Sequence, residues 1–231
     1  MRALAFCPDS DHDWAKSSWT QWVQGTLPHV TSRTIPPYDH GTSEAARPFG
    51  MPMCQNRLSI PTWSYAMEVR PPARVVEIGT YSGGFTCGIG VHASRIRARV
   101  VSYDVGTPDE SLLDLARHLG IEFRQGDVWE RETEIAALIA EPGISFVLCD
   151  GGNKRRELRD FGRYLKPGDV IAAHDYAADD GTGYENRWWG WGEIWRPQGD
   201  ETARELGLVP WMQDYFDTAA WLCYERPVLP R

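Results

Sequence analysis

Apolar and polar positions follow two different patterns along the chain, and the change lies near residue 60. From about residue 73 onward, short apolar runs rich in β-branched residues alternate with amphipathic stretches, which is typical of an α/β protein with a parallel sheet. The strands predicted from the apolar runs are 73–79, 99–104, 121–127, 144–150 and 169–175. The helices predicted from the amphipathic stretches are 82–96, 108–120, 132–141 and 154–165.

The end of the chain departs from this alternation. A long irregular stretch, 177–192, precedes a predicted helix near 200–206 and two apolar runs, 206–213 and 218–225. We expect these runs to pair in antiparallel fashion and to close the sheet. The predicted fold class is therefore α/β, with a doubly wound, seven-stranded, mostly parallel sheet whose last strand is antiparallel.

The N-terminal segment, residues 1–60, is rich in Pro, Ser, Thr and His and carries one predicted helix, at 13–27. We expect this segment to form an N-terminal lid or oligomerisation arm, and residues 61–231 to form the α/β domain. A chain of 231 residues suits one domain with a small appendage.

Composition narrows the class of partner. The net charge of -8 argues against a nucleic-acid-binding protein, because such proteins bind the backbone phosphates through clustered Lys and Arg side chains. No stretch approaches the roughly 18 consecutive apolar residues of a membrane span. The five cysteines are scattered without C-x-x-C pairing, which favours a reducing compartment. We therefore expect a cytoplasmic protein that binds a small molecule, and neither nucleic acid nor a membrane.

The turn after the first predicted strand carries the first candidate chemistry. Gly79 and Gly83 are placed to let the backbone approach a ligand closely. Tyr81 stands where the dinucleotide fingerprint G-x-G-x-x-G has its second glycine, which disfavours a pyrophosphate. The carboxylate of Glu77 suits a ligand ammonium group, and the helix that Ser82 opens suits a ligand carboxylate. Together these features favour an amino-acid-bearing cofactor.

Two acids follow the next strands at the same edge of the predicted sheet. Asp104 comes 25 positions after Gly79, close to the spacing at which an acid meets ribose hydroxyls. Asp127 ends the third strand, where it can reach an adenine amino group, and Val128 follows it.

These motifs together resemble class I S-adenosylmethionine (SAM)-dependent methyltransferases. The resemblance rests on E-x-G-x-x-x-G-G, the acid that ends the second strand and the G-D after the third, and it covers residues 73 to about 225. It implies a Rossmann-like methyltransferase fold and SAM as the cofactor. The cofactor-binding residues implied are Glu77, Gly79, Tyr81, Ser82, Gly83, Asp104, Asp127, Val128 and Asp150.

Asp150, His174 and Asp175 follow two further strands at this edge, and such a group can form a hard-metal site or a general base. The D-G-G after one strand and the acidic position after the next resemble the cephalosporin hydroxylase and macrocin O-methyltransferase branch, in which carboxylates hold a divalent metal beside the acceptor. The resemblance implies that Asp150 and Asp175 bind a metal ion, Mg²⁺ or Mn²⁺, and His174, from its position between them in the sequence, is the third candidate for metal binding and catalysis.

This sequence departs from that branch at two positions. His174 stands where the branch commonly has Glu, and Asn153 stands where many relatives have His. Imidazole suits Mg²⁺ poorly and Mn²⁺ better. Two routes therefore stay open: a bound metal lowers the pKa of the acceptor hydroxyl, or His174 takes its proton directly.

The tryptophan-rich stretch after the fifth strand is expected to overhang the same pocket. The predicted acceptor-binding residues are Tyr176, Tyr184, Arg187, Trp188 and Trp189. Indole rings stack on sugars or aromatic groups, but they are also enriched at interfaces, so a homodimer or higher homo-oligomer is an equal reading. The basic run Lys154–Arg156 is predicted to lie on a solvated helix face.

The leading hypothesis is a SAM-dependent O-methyltransferase that acts on a hydroxylated small molecule, such as a sugar, a macrolide-like compound or another secondary metabolite. Two alternatives remain. One is a metal-dependent oxygenase on the same fold, and the other is a non-catalytic cofactor-binding subunit.

Overall fold

The computed structural model describes Gln55 and residues 58–108, 110–177 and 194–228. Its helices are α1 (Ser59–Val69), α2 (Gly84–Ile96), α3 (Glu110–Leu119), α4 (Glu132–Ala140), α5 (Lys154–Gly162), α6 (Arg196–Glu205) and α7 (Gln213–Phe216). Its strands are β1 (Arg74–Ile78), β2 (Arg99–Asp104), β3 (Ile121–Gln125), β4 (Ser145–Cys149), β5 (Val170–His174), β6 (Tyr176–Ala177), β7 (Ile194–Trp195), β8 (Val209–Pro210) and β9 (Trp221–Glu225). A 3₁₀ turn, Asp217–Ala219, follows α7.

Seven strands form one sheet in the order β3-β2-β1-β4-β5-β9-β8. The first five strands in this order are mutually parallel, whereas β9 is antiparallel to β5 and to β8. The prediction of a doubly wound, mostly parallel sheet with an antiparallel closing strand is confirmed. The chain winds outward in both directions from the neighbours β1 and β4, and in such sheets ligands bind beyond the carboxyl ends of the strands at this switch point.

The central strands are buried on both faces, which explains their nearly continuous apolar sequences. All five residues of each of β1, β4 and β5 are buried. Alternate strand residues feed two apolar cores: α1, α2, α3 and α7 contribute to one, and α4, α5 and α6 contribute to the other. The two layers of helices leave the carboxyl ends of the strands as the open edge of the domain.

Helix α1 was not predicted, and it crosses the boundary placed between residues 60 and 61. Its sequence, SIPTWSYAMEV, contains a proline, but Pro61 lies in the first turn, where the missing N–H is not needed. Trp63 is fully buried, and its ring lies 4.7 Å from that of Phe216 and 5.4 Å from that of Trp221. The helix is therefore an integral part of the first core. The predicted helix at 13–27 lies outside the described residues.

The closing pair is shorter than predicted. Of the apolar runs 206–213 and 218–225, the strands take only Val209–Pro210 and Trp221–Glu225, and α7 with the 3₁₀ turn fills the interval. The helix predicted near 200–206 begins earlier, at Arg196. Within the described part of the chain, no helix has both the length and the apolar character needed to span a membrane.

The burial of Trp63 predicts that α1 contributes strongly to stability. We expect Trp63→Ala to lower the free energy of unfolding by about 3–5 kcal/mol, because it removes a fully buried ring. Tyr65→Ala, on the same helix but 44% exposed, is the control and is expected to cost about 1 kcal/mol or less. Urea denaturation measures both changes in the free energy of unfolding. Equal decreases for the two variants would show that Trp63 is not the main contact of α1 with the core.

Candidate active site

A cavity of about 1020 Å³ lies beyond the carboxyl ends of the parallel strands. Its walls are the turns that follow β1, β2, β3 and β4, together with Asp175 after β5. The cavity brings together most of the residues predicted for the cofactor. Those that line it are Glu77, Gly79, Tyr81, Ser82, Asp104, Asp127, Val128 and Asp150.

A glycine is required at position 79 by the close approach of the neighbouring strand end. A Cβ atom at Gly79 would lie 2.1 Å from the carbonyl oxygen of Asp150, and the residue has φ +93°. A side chain at this position is therefore excluded by protein backbone, and the predicted approach of a ligand to Gly79, which lines the cavity, stays a prediction. Gly83 also has a positive φ, +87°, and precedes the first residue of α2.

Asp104 fixes the turn between β1 and α2. Its Oδ2 accepts hydrogen bonds from the N–H groups of Thr80 and Tyr81, each at 2.8 Å, and its Oδ1 accepts one from Gly106 at 2.8 Å. These bonds hold Tyr81 in the left-handed region, at φ +51°. A carboxylate has about four acceptor sites, so the predicted ribose contact stays a prediction alongside this structural role.

Glu77 is a buried acid at the floor of the cavity. Its Oε2 accepts hydrogen bonds from the hydroxyls of Thr86, at 2.6 Å, and Ser102. Burial outweighs these bonds, with further repulsion from Asp150 and Asp104, and raises the pKa of Glu77 to about 8. The side chain is therefore protonated at neutral pH, and a cationic group in the cavity would favour its ionised form.

The turn after β3 supplies an aromatic wall of the cavity that was not predicted from the sequence. Asp127 is exposed and its Oδ1 accepts the N–H of Trp129 at 2.9 Å. Trp129 lines the cavity and stacks on Phe161, with 5.5 Å between ring centroids and 4° between planes. The guanidinium carbon of Arg156, a residue of α5, lies 3.7 Å from the centroid of the Trp129 ring. A tryptophan two residues after the G-D motif is the signal that marks this wall.

Asp150, His174 and Asp175 meet at the other end of the cavity. Nδ1 of His174 lies 3.1 Å from Oδ1 of Asp150 and 3.1 Å from Oδ1 of Asp175. Asp175 has φ +56°, which is unusual for a residue with a side chain and is a form of strain that concentrates at functional sites. The three residues are also the only group of His, Cys, Asp and Glu, within the part of the chain that the structure describes, whose ligand atoms lie close enough for one metal ion.

Two residues that were not predicted complete this cluster. Nζ of Lys154 lies 3.6 Å from Oδ1 of Asp150 and 3.5 Å from Oδ2 of Asp175. The buried amide of Gln55 donates to Oδ2 of Asp150. All four carboxylate oxygens thus face a nitrogen of His174, Lys154 or Gln55. A divalent metal bound to these oxygens at about 2.0–2.6 Å would have Nδ1 of His174 as a further ligand, but it would have to displace the ammonium of Lys154 and the amide of Gln55, so the arrangement fits a resident metal ion poorly.

His174 is placed behind the carboxylates and not at the cavity wall. Its side chain is fully buried, and its ring lies 4.7 Å from that of Trp221. Burial opposes the charged imidazole, but the carboxylates of Asp175 and Asp150 outweigh it and raise the pKa of His174 to about 9. The buried position of His174 behind the two carboxylates is typical of a residue that positions them, and the direct route, in which His174 takes the acceptor proton, stays a prediction.

The loop that carries Asp150 is anchored from α5. Both oxygens of the buried Glu157 accept backbone N–H groups, from Gly151 at 3.1 Å and Asn153 at 3.0 Å. The side chain of Asn153 accepts the N–H of Arg156 at 3.1 Å and caps α5. Asn153, which replaces a histidine common in the branch, is therefore a structural residue here.

The predicted acceptor residues are not assembled by the described structure. Tyr176 is 2% exposed within the second core, and its hydroxyl donates to Asp217 at 2.5 Å, so it does not reach the cavity wall. The prediction of an acceptor contact for Tyr176 is therefore corrected to a structural role. Tyr184, Arg187, Trp188 and Trp189 lie outside the described residues.

Comparisons with known proteins support the fold. No protein-family model and no curated protein sequence matches the chain. Among solved structures, CmcI-D160 with Mg and SAM is similar at a TM-score of 0.56 and 16% identity, over 96% of this chain and 89% of that one. The apo form of CmcI-N160 has a TM-score of 0.54 and 18% identity, over 99% and 91% of the two chains. The CurJ carbon methyltransferase has a TM-score of 0.50 and 14% identity, over 93% and 68%. The predicted Rossmann-like methyltransferase fold is thereby confirmed.

The contact between Gly79 and Asp150 generates a stability prediction. We expect Gly79→Ala to lower the free energy of unfolding by about 3 kcal/mol or more, because its Cβ meets backbone atoms and its φ is positive. Gly120→Ala is the matched control: it has φ +70° with nothing within 4 Å, and it should cost only the left-handed conformation, about 1–2 kcal/mol. Similar losses in urea denaturation for the two variants would contradict the close approach.

The raised pKa of Glu77 predicts how stability depends on pH. The folded protein holds a proton at Glu77 that the unfolded chain loses near 4.5, so folding is favoured less as the pH rises from about 4.5 to about 8. Relative to Glu77→Gln, the free energy of unfolding of the wild type should fall by about 1 kcal/mol per pH unit across this window. Denaturation of both proteins at several pH values measures the difference. A constant difference would show that Glu77 ionises normally.

Proposed function

We propose that the protein is a SAM-dependent methyltransferase that methylates an oxygen atom of a hydroxylated small molecule. The observation that carries this proposal is a single cavity with two chemically different ends. Glu77 and the turn before α2 bound one end, and Asp150, Asp175 and Lys154 bound the other. Similarity to CmcI-D160, solved with Mg and SAM, and to CmcI-N160, solved with S-adenosylhomocysteine (SAH) at a TM-score of 0.50, supports the assignment of the first end to the cofactor.

The cofactor end of the cavity fits a ligand that carries an amino acid group. Glu77 accepts an ammonium group in place of its own proton, and the first-turn N–H groups of α2 receive a carboxylate. Asp104 keeps the connecting turn in the conformation that exposes these groups. Trp129 lines the cavity and provides an aromatic side chain for contact with a base. When bound, SAM supplies a methyl group activated by its positive sulfur.

The acceptor end of the cavity combines anionic and cationic groups. Asp150 and Asp175 can accept a proton from an acceptor hydroxyl, and the ammonium of Lys154 favours the oxygen anion that results. His174 holds both carboxylates from behind through its Nδ1. In this scheme His174 is a positioning residue. A sugar, a macrolide-like compound or another secondary metabolite is the proposed class of acceptor.

The N-terminal segment is proposed to cover the acceptor end. Gln55, within the segment 1–60 that the sequence suggests as a lid, contacts Asp150 and lies 3.4 Å from Nδ1 of His174. A lid at this position would exclude water from the methyl acceptor. Assembly into a homodimer or higher homo-oligomer stays a prediction.

Calorimetry with SAM tests the assignment of the cofactor end. We expect the full chain to bind SAM and SAH, and Glu77→Gln to weaken binding by about 1–3 kcal/mol, because it removes a charged hydrogen-bond acceptor. Binding at pH 7 should also release about one proton in the wild type and none in Glu77→Gln, since the ligand ammonium replaces the proton on Glu77.

The proton release is obtained from the binding enthalpy in buffers of different ionisation enthalpy. Glu68→Gln, on the outer side of α1, is the control and should behave as the wild type. Absence of SAM and SAH binding to the wild type would overturn the proposed function. Unchanged affinity and proton release in Glu77→Gln would overturn the role of Glu77.

A further inference from the structure

Lys154 does not lie on the solvated face that the basic run 154–156 suggests. Its side chain is 5% exposed, whereas that of the next residue, Arg155, is 52% exposed. Lys154 is the first residue of α5, where a positive charge is disfavoured by the helix dipole. The position is tolerated because the ammonium lies close to the carboxylates of Asp150 and Asp175.

The ammonium of Lys154 lies between the two acids that the resemblance assigns to a metal ion. It approaches one oxygen of each: Oδ1 of Asp150 at 3.6 Å and Oδ2 of Asp175 at 3.5 Å. Two carboxylates brought together without a cation would repel each other strongly in a buried site. Lys154 supplies a positive charge at this point from within the chain.

We infer that Lys154 supplies the cation of the acceptor site in place of a divalent metal ion. This inference rests on the proposed function for the meaning of the site, but the occupancy of the cation position can be measured without it. The donor set supports the inference: a nitrogen of His174, Lys154 or Gln55 faces every oxygen of the two carboxylates. A metal ion would have to displace the ammonium of Lys154 from the carboxylates and would be repelled by its positive charge.

An ammonium group and a divalent ion favour different classes of acceptor. A divalent ion chelates two neighbouring oxygen atoms of an acceptor and so selects compounds that present such a pair. An ammonium group is a point charge that donates hydrogen bonds to single oxygen atoms. The site therefore suits an acceptor in which the reacting hydroxyl needs no second oxygen beside it.

Binding of Mn²⁺ to the full chain, followed by electron paramagnetic resonance and calorimetry, tests the inference. We expect the wild type to show no specific Mn²⁺ site, and Lys154→Ala to bind Mn²⁺ at least about tenfold more tightly, because removal of the ammonium takes away a positive charge that repels the metal ion and frees one oxygen of each carboxylate. Arg155→Ala, which removes an exposed charge one residue away, is the matched control and should resemble the wild type. Asp175→Asn added to Lys154→Ala should abolish the gained site.

Two results would overturn the inference. One is a specific Mn²⁺ site in the wild type that Asp150→Asn removes, and the other is a folded Lys154→Ala protein with no gain in Mn²⁺ binding. Circular dichroism verifies folding, and Lys154→Gln serves as a second variant that keeps most of the side-chain volume. SAM binding, measured separately on the same proteins, reports on the proposed function, so failure of one assignment is distinguished from failure of the other.

Discussion

The contact between the ends of β1 and β4 is the constraint on which the site depends. The turn after β1 passes so close to the carbonyl of Asp150 that residue 79 cannot carry a side chain. The two strands are neighbours at the switch point of the sheet, and from here the chain turns toward α2 on one side and α5 on the other. The turn after β1 and the cluster of Asp150, His174 and Asp175 are thus positioned relative to each other by backbone packing.

The site contains two different solutions to the problem of a buried acid. Glu77 has hydroxyl partners but no neighbouring cation among the residues that the structure describes, so burial raises its pKa, and a cationic ligand would favour its ionised form. Asp150 and Asp175 have cations from the chain itself, in His174 and Lys154. The site around Glu77 suits a positively charged ligand. The charges of Asp150 and Asp175 are already compensated by side chains of the protein. This difference supports the proposal that the two ends of the cavity have different chemical roles.

The sequence predicted the sheet and the edge at which the acids meet, because parallel strands carry their carboxyl ends to the same side. It did not predict where individual side chains point. The basic run 154–156 predicts that Lys154 lies on a solvated helix face. Its contact with Asp175 exists only because β5 lies beside α5 in the folded structure. The packing of Gly79 against Asp150 was not predicted, because sequence spacing does not reveal that the two residues come close. Tyr176 follows the right strand but faces the core.

A crystal structure of the full chain grown with SAH and Mn²⁺, with data collected at the manganese absorption edge, tests the central claim most directly. We expect electron density for SAH in the cavity above Glu77, and the side chain of Lys154 between Asp150 and Asp175 with no anomalous peak there. SAH density elsewhere, or a manganese peak between the two carboxylates, would contradict it.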